Sequence, residues 1–234
     1  SSMLDQINNF VNKAFASGLG EGSVSALNYS VVIRTFIFYV FTIAITTMIY
    51  PMLSKSMAEN DTKTVKRTIA KSVDIIIILF VPITIGAFLL SKPAVSFIYE
   101  RGEFGSESTM MTSMALQMYS LGLVALALRN VITKVFYSMQ DTKSTMYVSI
   151  FTVGLCVLFS AILVKPMGHV GLALASSLAE TLTIPLFFYF LHKRLGSLGM
   201  KNSLNILIKS SISSAVMGAA VYFVFKYAST VLVG

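Results

Sequence analysis

The chain has 234 residues, of which 55% are hydrophobic and 12% are charged, and its mean hydropathy is +0.77. A soluble domain usually carries about 25% charged residues, so this composition excludes an ordinary soluble protein and predicts a membrane protein. The formal net charge of +8 comes from short loops between apolar segments, which argues against a nucleic-acid partner. A single cysteine, Cys156, excludes an intrachain disulfide.

Apolar segments recur along the whole chain and predict an all-α, polytopic transmembrane helical bundle. Residues 3–17 are half polar and predict one partial helix, and a glycine-rich turn follows at 18–23. A polar connector is expected at 54–71, with a helix-start signal at Asn60-Asp61-Thr62. Six full spans, each long enough to cross a bilayer, are predicted at 24–53, 72–90, 110–137, 145–164, 171–191 and 202–227.

The basic residues predict the orientation of these spans. Cytoplasmic loops of membrane proteins carry an excess of Lys and Arg. Eleven such residues follow or flank the first, third and fifth spans, and four lie on the opposite side. The first side is therefore expected to face the cytoplasm, and the turns at 99–108 and 165–169 are expected to face outward.

Catalytic signatures are missing from the sequence. His169 and His192 lie in loops on opposite sides of the predicted membrane, so they cannot share a metal ion. Neither a nucleotide-binding glycine loop nor a nucleophile elbow occurs. We therefore predict that the protein is not an enzyme and has no catalytic residue, metal site or cofactor.

Polar residues inside the spans are the candidates for function, because ionisable groups there are costly and usually face a bundle interior or a water-filled cavity. Arg34 lies deep in the first span, and a guanidinium binds phosphate through a bidentate fork. It could contact an anionic headgroup, or it could form a structural pair with a carboxylate. Helical spacing places a polar stripe beside it, formed by Asn28, Thr35, Tyr39, Thr42 and Thr46.

Three further candidates lie in later spans: Arg129 and Asn130 in the third, and Glu180 in the fifth. Glu180 could be a proton or cation site, or the partner of Arg34 or Arg129. The candidate substrate-binding residues are therefore Arg34, Asn28, Thr35, Arg129, Asn130 and Glu180. A small-residue face on the fourth span predicts close helix packing and contains Ser149, Thr152, Cys156 and Ser160. Asp141 can cap the helix that follows it.

Several short motifs occur, in this order and spacing, over about residues 8–195. The best of them are Arg-Gly-Glu-Phe at 101–104, Tyr-Ser-Leu-Gly-Leu at 119–123, Phe-Tyr-Ser-Met-Gln-Asp-Thr at 136–142 and His-Val-Gly-Leu-Ala-Leu at 169–174. In combination they resemble the MurJ/MviN family of lipid II flippases, which belongs to the multidrug/oligosaccharidyl-lipid/polysaccharide (MOP) exporter superfamily.

The resemblance implies a fold of fourteen transmembrane helices, in two six-helix lobes and a C-terminal pair. Residues 1–195 would be the second lobe with its first helix incomplete, and residues 196–234 would be an additional C-terminal transmembrane helix. The family moves lipid II across the bacterial cytoplasmic membrane by alternating access around a cationic cavity. The implied partners are a lipid-linked anionic substrate, membrane lipids and the missing N-terminal lobe of the same protein, with no nucleic acid.

Two family positions that are usually basic are not basic in this chain. The family arginine early in helix eight falls on Val32, with Arg34 two residues later, and the basic position of helix ten falls on Asn130, with Arg129 adjacent. Other functions therefore stay open. They are a related exporter of a lipid-linked polysaccharide, a cation antiporter, or a degenerate membrane scaffold that does not transport.

Overall fold

The structure is a computed structural model that describes residues 14–16, 18–59 and 61–233. Within these ranges it is helical and contains no strand, so the all-α prediction is confirmed. Most of the partial helix predicted at 3–17 lies outside the described residues. The helices are α1 (Ser23–Ala58), α2 (Thr62–Leu89), α3 (Ser91–Tyr99), α4 (Ser106–Ser120), α5 (Leu123–Ser138), α6 (Thr142–Leu195) and α7 (Lys201–Val233).

The segment predicted as a polar connector at 54–71 is largely helical, because both flanking helices extend into it. α1 continues to Ala58 and α2 begins at Thr62. Lys, Met and Ser are compatible with a helix that continues beyond the bilayer. α1 therefore does not end where its run of apolar side chains ends. Asp61 caps α2 by accepting a hydrogen bond from the Thr64 backbone N–H at 3.0 Å, as the helix-start signal predicted.

The third span is not the single helix predicted at 110–137. It is divided into α4 and α5, which meet at a bend of 50°. Gly122 lies at the break, where a Cβ atom would approach Ser177 Oγ to 2.9 Å. The Ser177 hydroxyl donates to the Met118 carbonyl oxygen at 2.7 Å. Ser177 thereby pairs with one of the carbonyls near the end of α4, where helical partners are lost.

α6 is 54 residues long by hydrogen-bond pattern but reverses its direction at Gly168, where φ is 58° and ψ is −135°. Cys156 Sγ lies 3.8 Å from Ser176 Oγ, twenty residues later. In a straight helix the two residues would be separated by about 30 Å. α6 therefore consists of two packed limbs, 142–167 and 169–195, which contain the predicted fourth and fifth spans.

Four of the described helices contain segments long and apolar enough to cross a membrane, in α1, α2, α6 and α7, and the bent α4–α5 pair makes up to five. α6 counts once in this total despite its reversal. The number of six full spans stays a prediction. The chain is a multi-pass membrane protein.

The main hydrophobic core lies between α1, α2, α5 and the second limb of α6. Aromatic contacts mark it, with ring centroids 6.4 Å apart for Phe38 and Phe80 and 6.1 Å apart for Phe136 and Phe187. α7 packs chiefly against α2. Ser203 Oγ donates to Asp74 Oδ1 at 2.5 Å across that contact. The core thus holds α1, α5 and the second limb of α6 side by side.

Candidate functional site

Three charged side chains meet inside this bundle, and we call them the charged centre: Arg34 of α1, Arg129 of α5 and Glu180 of α6. Glu180 Oε1 lies 4.0 Å from Nη1 of Arg34 and 4.0 Å from Nη1 of Arg129. The side chains are 14% exposed for Arg34, 9% for Arg129 and 3% for Glu180. Of the alternatives for Glu180, the structure shows it as the partner of both arginines.

Tertiary features bring these residues together. The bend at Gly122 lets α4 end beside α1 and gives α5 its own direction. Ser177 contacts that bend and lies three residues before Glu180, on a neighbouring face of the same helix. The contact at Gly122, together with the packing of α5 on α6, holds Glu180 near Arg129.

Tyr119, near the end of α4, supports Arg34 from the other side. The Arg34 Cζ atom lies 4.7 Å from the centroid of the fully buried Tyr119 ring. A cation over an aromatic face is attracted by the ring quadrupole. Tyr119 has no predicted site role, because an aromatic residue in an apolar helix usually belongs to the core. Its place in the 119–123 motif was the available signal.

The charged centre contains two cations and one anion, so its net charge is +1. A distance of 4.0 Å is an ionic contact and is too long for a hydrogen bond. Arg34 Nε and Arg129 Nη1 are buried and make no hydrogen bond within the described part of the chain. The two guanidinium groups therefore keep hydrogen-bonding capacity and positive charge for an additional anionic group.

The other predicted site residues have different surroundings. Thr35 and Asn130 are half-buried next to Arg34 and Arg129 in the chain, and the buried Asn130 Oδ1 has no hydrogen-bond donor among the described residues. Asn28 is exposed and lies about 9 Å before Arg34 along the axis of α1. The structure thus places Asn28 apart from the charged centre.

The polar stripe predicted on α1 does not keep one environment along its length. Asn28 and Tyr39 are exposed, whereas Thr42 and Thr46 are buried. Thr46 Oγ1 donates to the Thr42 carbonyl oxygen at 2.9 Å, so this hydroxyl is satisfied by its own helix. The stripe is split because α2 and α5 cover only part of the face.

A second ion pair, which we call the capping cluster, lies where the two ends of α6 meet. Asp141 accepts a hydrogen bond from the Ser144 backbone N–H at 3.1 Å, which confirms its predicted role as a cap. Arg194 Nε donates to Asp141 Oδ2 at 2.9 Å. The hydrogen bond from the Ser144 backbone, together with the Ser144 hydroxyl and Arg194, holds the pKa of Asp141 below its usual value.

The chain is similar to several curated proteins. It is 29% identical to the probable lipid II flippase MurJ of Rickettsia prowazekii over 83% of this chain and 38% of that protein. It is 32% identical to the probable lipid II flippase MurJ of Vibrio cholerae over 81% of this chain and 36% of that protein. The chain therefore spans less than half the length of these relatives.

Solved structures show the same fold. A lipid II flippase MurJ in an inward closed conformation matches 99% of this chain and 52% of its own, with a TM-score of 0.74 and 23% identity. A MOP superfamily transporter from Pyrococcus furiosus matches 97% of this chain and 53% of its own, with a TM-score of 0.70 and 18% identity. The family model described as "Lipid II flippase MurJ" matches residues 1–234. This chain belongs to the lipid II flippase MurJ family.

Proposed function

We propose that this chain is the second lobe of a flippase that moves lipid II across the bacterial cytoplasmic membrane by alternating access. The observation that carries the proposal is the family match over residues 1–234. Because the relatives are more than twice as long as the matched region, we propose that a first lobe of the same protein completes the transporter. The proposed activity is transport, with no catalytic step.

The charged centre supports an anionic substrate. Lipid II carries a pyrophosphate between its lipid and its sugars, and a guanidinium presents a fork of donors that matches phosphate oxygens. Arg34 is the more exposed of the two arginines, so we propose it as the headgroup contact. Thr35 and Asn28 would extend this contact along α1. Arg129, Asn130 and Glu180 would line the same site from within the lobe.

We also propose a division of the chain at residue 195. Residues 1–195 would form the lobe, and residues 196–234 would form an additional transmembrane helix that lies against it. The packing of α7 chiefly on α2 supports this division. The two helices run in the same direction, since Ser203 contacts Asp74 and Ser210 contacts Ile77.

Complementation of a flippase-depleted bacterium tests the proposal. The full-length parent of this chain should restore growth, and its Arg34→Ala variant should fail at normal protein levels. A matched control is Arg67→Ala, which removes an exposed arginine of α2 far from the charged centre. If the well-expressed parent does not restore growth, lipid II transport is contradicted. If Arg34→Ala restores growth as well as the control, the role of Arg34 is contradicted.

The lobe by itself should be inactive. Alternating access requires two bodies that rock against each other, and this chain is proposed to supply only one of them. We expect no flipping of a fluorescent lipid II analogue by this chain alone in liposomes. Transport at the rate of the full-length parent would contradict the proposed need for a first lobe.

A further inference from the structure

The two ion pairs of Glu180 are equal in length but cross different interfaces. Arg129 and Glu180 lie on α5 and α6, which pack extensively against each other, for example through Phe136 and Phe187. Arg34 and Glu180 lie on α1 and α6, which touch at only a few places. The Arg129 pair therefore belongs to a well-packed unit, and the Arg34 pair joins that unit to α1.

We propose that Glu180 is a resident counter-ion that an incoming phosphate group displaces from Arg34, while Glu180 keeps its contact with Arg129. This inference rests on the proposed function and adds a mechanism to the same site. It assigns Glu180 a positioning and coupling role, without direct contact between Glu180 and the substrate.

The charge balance of the centre favours this exchange. A buried charge that loses its only partner is strongly destabilised. When Arg34 leaves Glu180, however, the remaining Arg129–Glu180 pair is neutral and no carboxylate is left uncompensated. Arg34 gains a bidentate phosphate partner in return, which is a stronger contact than an ionic approach at 4.0 Å.

The exposure of the arginines selects Arg34 as the one that changes partner. Its side chain is 14% exposed against 9% for Arg129. Its Nε atom is buried and makes no hydrogen bond within the described residues, as is also true of Arg129 Nη1, and the Tyr119 ring covers one face of the Arg34 guanidinium. The edge of the guanidinium is thus the part of Arg34 that can bind an anion.

Displacement would also couple binding to movement. The Arg34–Glu180 contact is one of few between α1 and α6, so its loss weakens that interface. A ligand shifts a conformational equilibrium only through a difference in its affinity for the two states. Here the difference is the Arg34–Glu180 ion pair, which is present only before the phosphate binds.

A charge-matched variant tests the competition. Arg129→Met with Glu180→Gln removes one cation and one anion, so the net charge of the centre stays at +1. We expect the full-length double variant in nanodiscs to bind inorganic pyrophosphate and undecaprenyl pyrophosphate on the order of tenfold more tightly than the parent, a typical coupling size. Addition of Arg34→Gln should abolish this gain.

The outcomes separate the ligand sources and the two proposals. A gain with both probes identifies the phosphate group as the ligand, and a gain with the lipid-linked probe alone identifies a lipid-linked phosphate; both support the exchange. A folded double variant that binds both probes no more tightly than the parent overturns it. If the folded double variant shows no gain in affinity but the parent restores growth in the flippase-depleted bacterium, the proposed role of Glu180 is rejected and the proposed function is not.

A distance measurement covers the case in which the double variant does not fold. Spin labels at Val32 of α1 and Leu182 of α6 would lie at positions that are 58% and 51% exposed. Saturating pyrophosphate should change the label-to-label distance in the parent and leave it unchanged in Arg34→Gln. An unchanged distance in the parent, or the same change in Arg34→Gln, overturns the proposal.

Discussion

The charged centre and the capping cluster use the same kinds of side chain and differ in the exposure of their arginines. In the capping cluster, Arg194 and Asp141 form a 2.9 Å hydrogen-bonded pair in which the carboxylate side chain is 7% exposed and the arginine side chain is 61% exposed. In the charged centre the contacts are longer, at 4.0 Å, the carboxylate side chain is 3% exposed, and the arginine side chains are 14% and 9% exposed. The shorter pair is the more hydrated one.

This difference shows that burial, and not distance, sets the consequence of losing a partner. Water replaces a lost partner at the surface, so exposed ion pairs contribute little to stability. Inside the bundle water does not replace a lost partner, and a charge without a counter-ion strongly destabilises the fold. In the proposed function, the same low exposure would make the charged centre sensitive to an incoming anion.

Loss of the shared carboxylate should have the largest effect. Glu180→Gln removes the carboxylate that the two guanidinium groups share within the described residues, and we expect it to lower the free energy of unfolding by about 3–5 kcal/mol. Thermal unfolding of the full-length parent in detergent would measure this. The matched control is Glu59→Gln, which removes an exposed partner of Lys55 and should change stability little. Equal effects of the two variants would contradict the comparison.

Removal of one cation should recover part of this loss. Arg129→Met added to Glu180→Gln leaves one buried cation in place of two, so the double variant should be more stable than Glu180→Gln alone. The same unfolding measurement gives the difference. A double variant as unstable as the single one would show that packing, and not charge, makes Glu180 necessary.

Truncation of the cap should have a moderate effect. We expect Asp141→Ala to lower the free energy of unfolding by about 1 kcal/mol, because the first turn of α6 loses its side-chain acceptor. Asp61→Ala is the matched variant, since Asp61 caps α2 in the same way but forms no ion pair with an arginine among the described residues. Asp141→Ala should be the more destabilising of the two, and the reverse order would contradict a role for Arg194.

The stabilisation by Asp141 should depend on pH in one direction. Its pKa is lowered in the folded state from the ordinary value of 3.8, so its stabilising contribution is complete above that value. The contribution is lost as the pH falls below 3.8 and through the lowered pKa. The stability difference between the parent and Asp141→Ala should therefore shrink below pH 3.8, and a constant difference would contradict this assignment.

Loss of the exposed arginine should have the smallest effect. Arg194→Gln removes a 2.9 Å contact of a largely exposed side chain, and we expect a change of about 0.5 kcal/mol or less. Added salt should reduce this difference, because exposed charges are screened. A loss as large as that of Glu180→Gln would break the comparison between the two clusters.

Local patterns were sufficient for much of the fold. The all-α class and the caps at Asp61 and Asp141 depend on residues a few positions apart. The break at Gly122 was missed because its partner, Ser177, lies 55 residues away. The continuation of α1 into the predicted connector was missed because charged residues end the apolar span but not the helix.

The sequence by itself determined the class of the protein, a helical membrane bundle, and marked Arg34, Arg129 and Glu180 as unusual. Composition and helical periodicity are properties of short segments, so they can be recognised in the sequence without knowledge of the tertiary structure. Only the tertiary structure decided that one carboxylate is shared by two arginines and that Tyr119 lies against Arg34. Such contacts depend on the bend at Gly122 and on the packing of α1, α5 and α6, because burial and electrostatic attraction act between groups that are distant in sequence.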